Sequence, residues 1–245
     1  MAEFKIEIAG HTAAVCSLFD SSRDYCRDYL TDKDAEVSIR VTREDLSFEQ
    51  SDLDREAAEE GFRRRVFTDP FLDRAAIQRK MADFLIHKDV LMLHGSAIAL
   101  DGQGYLFMAR SGTGKSTHTR LWRQVFGQRA VMINDDKPFL HLTDTGVIAF
   151  GSPWSGKHGL DTNISAPLAG ICILERGPEN IIRHLSVEDA LPRLHKEAYI
   201  PMDAEKYPKF QTLVEKLARQ VPLWHMTCTK DPQAAQVAFD AMSTR

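Results

Sequence analysis

The chain has 245 residues, 43% of them hydrophobic, enough for one sizeable core or for one core with a small appended domain. Its 31 lysines and arginines are outnumbered by 35 aspartates and glutamates, giving a formal net charge of -4. That balance argues against a broad electrostatic grip on nucleic acid or an anionic membrane, and the expected partners are small molecules, peptides or proteins.

The opening MAEFKIEIAG is charged early and lacks the apolar core of a signal peptide, and no apolar run approaches a bilayer span. Cys16, Cys26, Cys172 and Cys228 lie far apart with no CxxC spacing, so neither a zinc site nor a disulfide framework is expected. A reduced, cytoplasmic protein follows as the expectation. Residues 1–89 read as a small N-terminal α+β domain whose role the residues do not name. FKIEIAG and AEVSIRV alternate as strands do, and DPFLDRAAIQRKMADFLIHKD starts a helix at Asp-Pro, with Ile77, Met81, Phe84 and Leu85 at helical spacing.

From residue 90 to 245 the pattern becomes that of a larger core. VLMLHGSAIAL, a DG turn and YLFMA predict a hairpin that feeds a glycine-spaced turn. A helix follows, with Leu121, Trp122 and Val125 on one face and Gly127 as its stop. AVMIN predicts a strand ending in Asp135 and Asp136. Farther on come the segment GVIAFGSPWSGKHG, a strand AGICILERG, helices near 187–199 and 209–220, a strand PLWHMTC and a last helix after Asp231-Pro232.

The glycine turn is a P-loop in which Ala109 replaces the first glycine: Ala109, Arg110, Ser111, Gly112, Thr113, Gly114, Lys115, Ser116, with Thr117 next. Alanine is tolerated at that first position if its φ stays negative. Gly112 and Gly114 let backbone N–H groups turn onto phosphate oxygens at the positive end of the following helix. Lys115 would neutralise the β and γ phosphates, and the Ser116 hydroxyl would bind Mg²⁺. By average residue usage such a motif arises by chance in on the order of one chain in a hundred, so a phosphate cradle is favoured over a plain turn.

Asp135 and Asp136 arrive a short helix after Lys115. A strand in that place presents both carboxylates beside the phosphates, one to hold a cation and the other to take a proton from an attacking hydroxyl. NDDKP is also good turn composition, which leaves a solvated turn as the plain alternative. A hairpin centred between Gly102 and Gln103 would set His94 opposite Ser111, where an imidazole orients a carboxylate, binds a second metal or sits hydrogen-bonded in the core. In GSPWSGKHGL, Lys157 is expected either to bring charge to a transferring phosphate or to be solvated, and Trp154 either to line a pocket or to anchor the core. Arg176, after a strand, could reach phosphate, but nothing local demands it.

LHGSAIALDGQGYLFMARSGTGKSTHT followed by NDDKP resembles the nucleotide-binding core of HPr kinase/phosphorylase and ATP-dependent phosphoenolpyruvate carboxykinase, over about residues 90–176. The resemblance implies an α/β fold, a P-loop core with a mixed sheet. The HPr kinase pattern implies that Asp135 is the general base, His94 supports it, and Asp136 and Ser116 address magnesium. The carboxykinase pattern instead makes His94 and Asp136 ligands of a transition metal such as Mn²⁺, and Lys157 resembles a lysine near the γ phosphate. No counterpart of the oxaloacetate-holding basic set is found, and GSPWSGKHGLDTN stands where HPr kinases carry a long glycine-rich signature.

The expectation is therefore an ATP-dependent kinase using Mg²⁺, with Asp135, His94, Lys115 and Lys157 as catalytic residues. Its acceptor is a serine-like hydroxyl on a small metabolite, peptide or protein. A carboxykinase-like lyase and a non-catalytic ATP-sensing module are the alternatives.

Overall fold

The computed structural model describes residues 1–59, 61–110 and 112–243, and they form two compact units, Met1–Phe84 and Leu85–Arg245. In the first unit, β1 (Ala2–Ile8) and β2 (His11–Ser17) form an antiparallel hairpin, helix α1 is Asp20–Tyr25, and β3 (Val37–Arg40) pairs parallel to β2. The helices α2 (Arg43–Glu59) and α3 (Asp69–Leu85) complete it. The burial of Phe4, Ile6 and Ile8 on alternate positions of β1 explains the strand reading of FKIEIAG. Asp73 is fully buried, and its carboxylate accepts hydrogen bonds from Ser17, Ser22 and the Leu18 amide, so its charge is fully met by donors.

The second unit begins with β4 (Val90–Met92), β5 (Ser96–Leu100) and β6 (Gln103–Met108), then α4 (Lys115–Phe126) and β7 (Ala130–Asn134). The strands β8 (Phe139–Leu142), β9 (Val147–Phe150), β10 (Ser165–Arg176) and β11 (Ile181–His184) follow. Helices α5 (Val187–Glu197) and α6 (Tyr207–Gln220), strand β12 (Leu223–Cys228) and helix α7 (Gln233–Ser243) end it. The strands run β4-β8-β9-β10-β6-β5-β7, with β12 pairing both β10 and β11. The sheet is mixed: β10 is parallel to β6 and β12 but antiparallel to β9.

Alternation within β6 and β10 decides which helix covers which face. Leu106, Met108, Ile171 and Ile173 share one cluster with Leu194 of α5 and Phe210, Leu213 and Leu217 of α6. Tyr105, Phe107, Cys172 and Leu174 share the other with Leu121 and Trp122 of α4 and Ala235 and Ala238 of α7. A central strand buried on both faces reads as a continuous apolar run, as GYLFM and AGICIL do.

Three expectations are corrected. VLMLHGSAIAL is not one strand: it breaks at His94 and Gly95, between β4 and β5. The β5–β6 hairpin turns on Asp101 and Gly102, with Leu100 opposite Gln103 and Ser96 opposite Phe107. Its register is thus two residues from the one that would set His94 against Ser111, and Ser111 itself lies outside the described residues. The left-handed φ of both turn residues, 51° and 80°, explains the difference, since a two-residue turn of that kind closes a tight hairpin. Val125 is 37% exposed, so the buried face of α4 is carried by His118, Leu121 and Trp122 instead.

His118 sits 2% exposed in that face, edge-on to Phe107, and its Nε2 accepts a hydrogen bond from the Trp122 indole at 3.1 Å. Burial lowers its pKa to about 4. The folded ring therefore resists a proton that the unfolded chain accepts below about pH 6.5, and stability falls as pH drops from there toward 4. Thermal melts across that window should show a slope of up to about 1.4 kcal/mol per pH unit that is absent in His118→Gln.

Candidate functional site

The glycine-spaced loop leaves β6 through Ala109, which is buried and is not among the described residues with positive φ, so alanine meets the condition set by its place. Gly112 and Gly114 take φ of 73° and 134°, a backbone that side chains resist. Helix α4 then starts at Lys115 with no side-chain cap, and its first amides have no acceptor within the helix. That end of the helix favours an anion. Lys115 is 9% exposed, and its ammonium donates to the Ala109 carbonyl at 3.0 Å, folding back over the loop. From the end of β10, Arg176 donates to the carbonyls of Gly112 and Thr113, bracing the loop from its carbonyl side. The Thr113 amide donates to the Arg110 carbonyl at 3.0 Å.

β7 runs parallel to β6, because each is antiparallel to β5, so the aspartate pair leaves the sheet at the end where the glycine-spaced loop begins. Asn134, fully buried, builds the turn that carries the pair. Its side-chain oxygen accepts the amides of Asp136 and Lys137 at 2.8 and 2.7 Å, and its amide group donates to the carbonyl and hydroxyl of Ser152 at 2.8 and 3.0 Å. The solvated-turn alternative does not hold for Asp135, which is 3% exposed. Its Oδ1 accepts the Gly156 amide at 2.6 Å, while its buried Oδ2 has no hydrogen-bond partner among the described residues. A Cβ on Gly156 would stand 3.2 Å from that carboxylate, a tight contact that glycine avoids. Burial raises the pKa of Asp135, the Gly156 hydrogen bond opposes the rise, and the neighbouring Asp136 charge adds to it.

Asp136 goes the other way. Burial works to raise its pKa, but the His94 hydrogen bond together with the charges of Lys137, His94 and Lys115 lowers it. Two adjacent carboxylates are thus driven apart, one toward holding a proton and the other toward staying ionised, which is the pattern of divided acid-base roles. His94 Nε2 lies 3.3 Å from Asp136 Oδ1, and His94 Nδ1 lies 3.0 Å from Glu197 Oε2. The turn is stitched to the pair through its backbone as well, by the Gly95 amide on the Asp136 carbonyl and the Leu93 amide on the Pro138 carbonyl.

Lys115, Asp136 and His94 are thereby linked by contact or by charge, and Asp135 stands beside them. Ser116 and Thr117 lie in the first turn of α4. Lys157 is exposed and makes no hydrogen bond or ion pair among the described residues, although its neighbour Gly156 touches Asp135 and the charge of His158 acts on it. Trp154 is 5% exposed against Phe139, as a core anchor would be. Sequence reasoning missed Glu197 and the bracing role of Asn134. Among the described residues no group of three or more His, Cys, Asp or Glu side chains is gathered to hold a metal. No helix among them is long and apolar enough to cross a membrane. A separate cleft of about 320 Å³, lined by Glu175, Arg183, Leu185, Asp189, Arg193 and His225, contains none of these residues.

No family model matches the chain, and no curated protein matches its sequence. Among solved structures, the Hpr(Ser) kinase/phosphatase from Coxiella burnetii is matched over 52% of this chain and 93% of that chain, at 13% identity and a TM-score of 0.30. A likeness that slight carries no weight for the chemistry, which rests on the residues above.

Asn134→Asp keeps the acceptor for the Asp136 and Lys137 amides but loses the donor to Ser152 and buries a charge. It should lower stability by about 1–3 kcal/mol in urea denaturation, and a variant as stable as the parent would show that the turn does not depend on this side chain.

Proposed function

We propose that the protein is an ATP-dependent kinase that transfers the γ phosphate to a hydroxyl of a small metabolite, peptide or protein. The observation that supports this most is Asp135, a buried carboxylate of raised pKa with one oxygen unpartnered among the described residues, next to Asp136, whose pKa is lowered in part by the Lys115 charge. An unpartnered buried acceptor is costly, and an incoming hydroxyl supplies the missing donor. The P-loop backbone, the uncapped start of α4 and Lys115 together suit a polyphosphate.

In this reading Asp135 Oδ2 accepts the hydrogen bond of the acceptor hydroxyl and takes its proton as the oxygen attacks. A raised pKa suits that task, because the base binds the incoming proton more firmly than an ordinary carboxylate does. Lys115 exchanges the Ala109 carbonyl for phosphate oxygens. Gly112, Thr113 and Gly114, with the first amides of α4 at Lys115, Ser116 and Thr117, line the phosphate side, and Arg176 holds the loop from behind. Asp136 and the Ser116 hydroxyl would hold Mg²⁺, which when bound with the nucleotide neutralises charge building on the phosphate oxygens. Asp136 and Ser116 are oxygen donors, which fits a hard cation.

His94 serves here as the neighbour that keeps Asp136 ionised. Both of its ring nitrogens face carboxylate oxygens, so metal ligation by His94, which a lyase of the carboxykinase type calls for, would first have to break one of those contacts. Lys157 is assigned the lesser part of an exposed positive charge on the loop that touches Asp135.

The test is a transfer assay with γ-labelled ATP and Mg²⁺ against pooled hydroxyl metabolites and peptides. Asp135→Asn should reduce transfer by about 10²-fold or more while leaving nucleotide affinity within a few-fold of the parent. Normal turnover by that variant would remove Asp135 as the base, and no labelled product from the parent chain would remove the kinase.

A further inference from the structure

Glu197 is the last residue of α5, and a carboxylate at a helix C-terminus faces the negative end of the helix dipole. The two residues before it, His195 and Lys196, are of the kind that end favours. Glu197 is therefore badly placed for its own helix, and such a departure from a local rule points to a partner elsewhere. That partner is His94. The carboxylate meets Nδ1 at 3.0 Å, and the Glu197 backbone carbonyl accepts the His94 amide at 2.7 Å. Leu93 bridges Ala198, and the Tyr199 amide donates to the Met92 carbonyl at 2.9 Å, so the chain after α5 runs as a short antiparallel strip along the end of β4. One residue thus holds His94 by main chain and by side chain, and the Glu197 side chain is 14% exposed.

A ring on a single Cα–Cβ–Cγ linkage turns freely unless both edges are held. With Glu197 accepting from Nδ1–H, the ring plane is fixed and Nε2–H is directed at Asp136 Oδ1, to which it donates. Resting on the kinase reading above, we infer that Glu197 is a positioning residue, which acts through His94 to hold the Asp136 carboxylate in place for the cation and Lys115. It touches neither nucleotide nor acceptor.

The inference can be tested without an acceptor in hand, by following slow hydrolysis of γ-labelled ATP with Mg²⁺, water standing in for the hydroxyl. Glu197→Leu removes the acceptor of the Nδ1 proton, and Glu197→Gln keeps one in neutral form. Hydrolysis should fall on the order of 10-fold or more in Glu197→Leu, with KM for ATP little changed, and should recover in large part in Glu197→Gln. In the ligand-free protein, nitrogen-proton NMR of the histidine rings should show a protected His94 Nδ1 proton that persists in Glu197→Gln and is lost in Glu197→Leu. Unchanged His94 signals, or wild-type kcat in a folded Glu197→Leu, would overturn the positioning role. The ring spectra do not depend on phosphoryl transfer. A parent chain that neither hydrolyses nor transfers the γ phosphate, yet shows the Glu197-dependent proton, would overturn the kinase reading and leave the contact to His94 standing.

Discussion

The buried carboxamide of Asn134 is the constraint from which the rest of the site is built. A strand that ends in two aspartates would ordinarily release them to water, because their mutual repulsion and the desolvation of each oppose burial. Asn134 removes that choice by accepting the next two free amides of the turn and donating into the Ser152 segment. With the turn fixed, Asp135 is directed into the protein and Asp136 toward His94. The divergence of their pKa values then follows from where each carboxylate is held.

Much of the arrangement is legible in the order of residues, and the reasons differ by element. The run YLFMA, the glycine turn and the helix after it can be read because β6 is buried on both faces and the loop requires φ values that only glycine supplies cheaply. The helices near 187 and 209 show because their apolar stripes face one cluster. α2 is hard to read: REDLSFEQSDLDREAAE fully buries only Leu46 and Glu49, and its half-buried positions are largely polar, which leaves little apolar periodicity. β8 and β11 are four residues each, too short for alternation to stand out. Glu197 is illegible for another reason. The residue it serves lies far back in the chain, and only the return of α5 to the end of β4 brings the two together.

The glycine-spaced loop after β6 is held from several directions. Lys115 folds onto Ala109, Arg176 reaches the outer carbonyls from β10, and Thr113 closes onto Arg110. When a peptide carbonyl is drawn to one side, the amide of the same peptide unit points to the other, so bracing the carbonyls of Gly112 and Thr113 also sets where the following amides aim. A loop arranged in this way needs little reordering to receive an anion, and preorganisation of that kind is what makes electrostatic catalysis efficient.

The long β10 also bears on how the chain is made. Its first residues pair with β9, but its later residues lie between β6 and β12, and β12 follows it in the chain only after β11, α5 and α6. A nascent chain that has emerged only as far as β10 already contains the glycine loop and both aspartates, yet it lacks the strand that covers the open edge of β10 and the helix end that meets His94. Until the end of α5 and β12 have docked, His94 lacks its Glu197 contact and the later residues of β10 present an unpaired strand edge, the part of the folding chain most open to pairing with another strand.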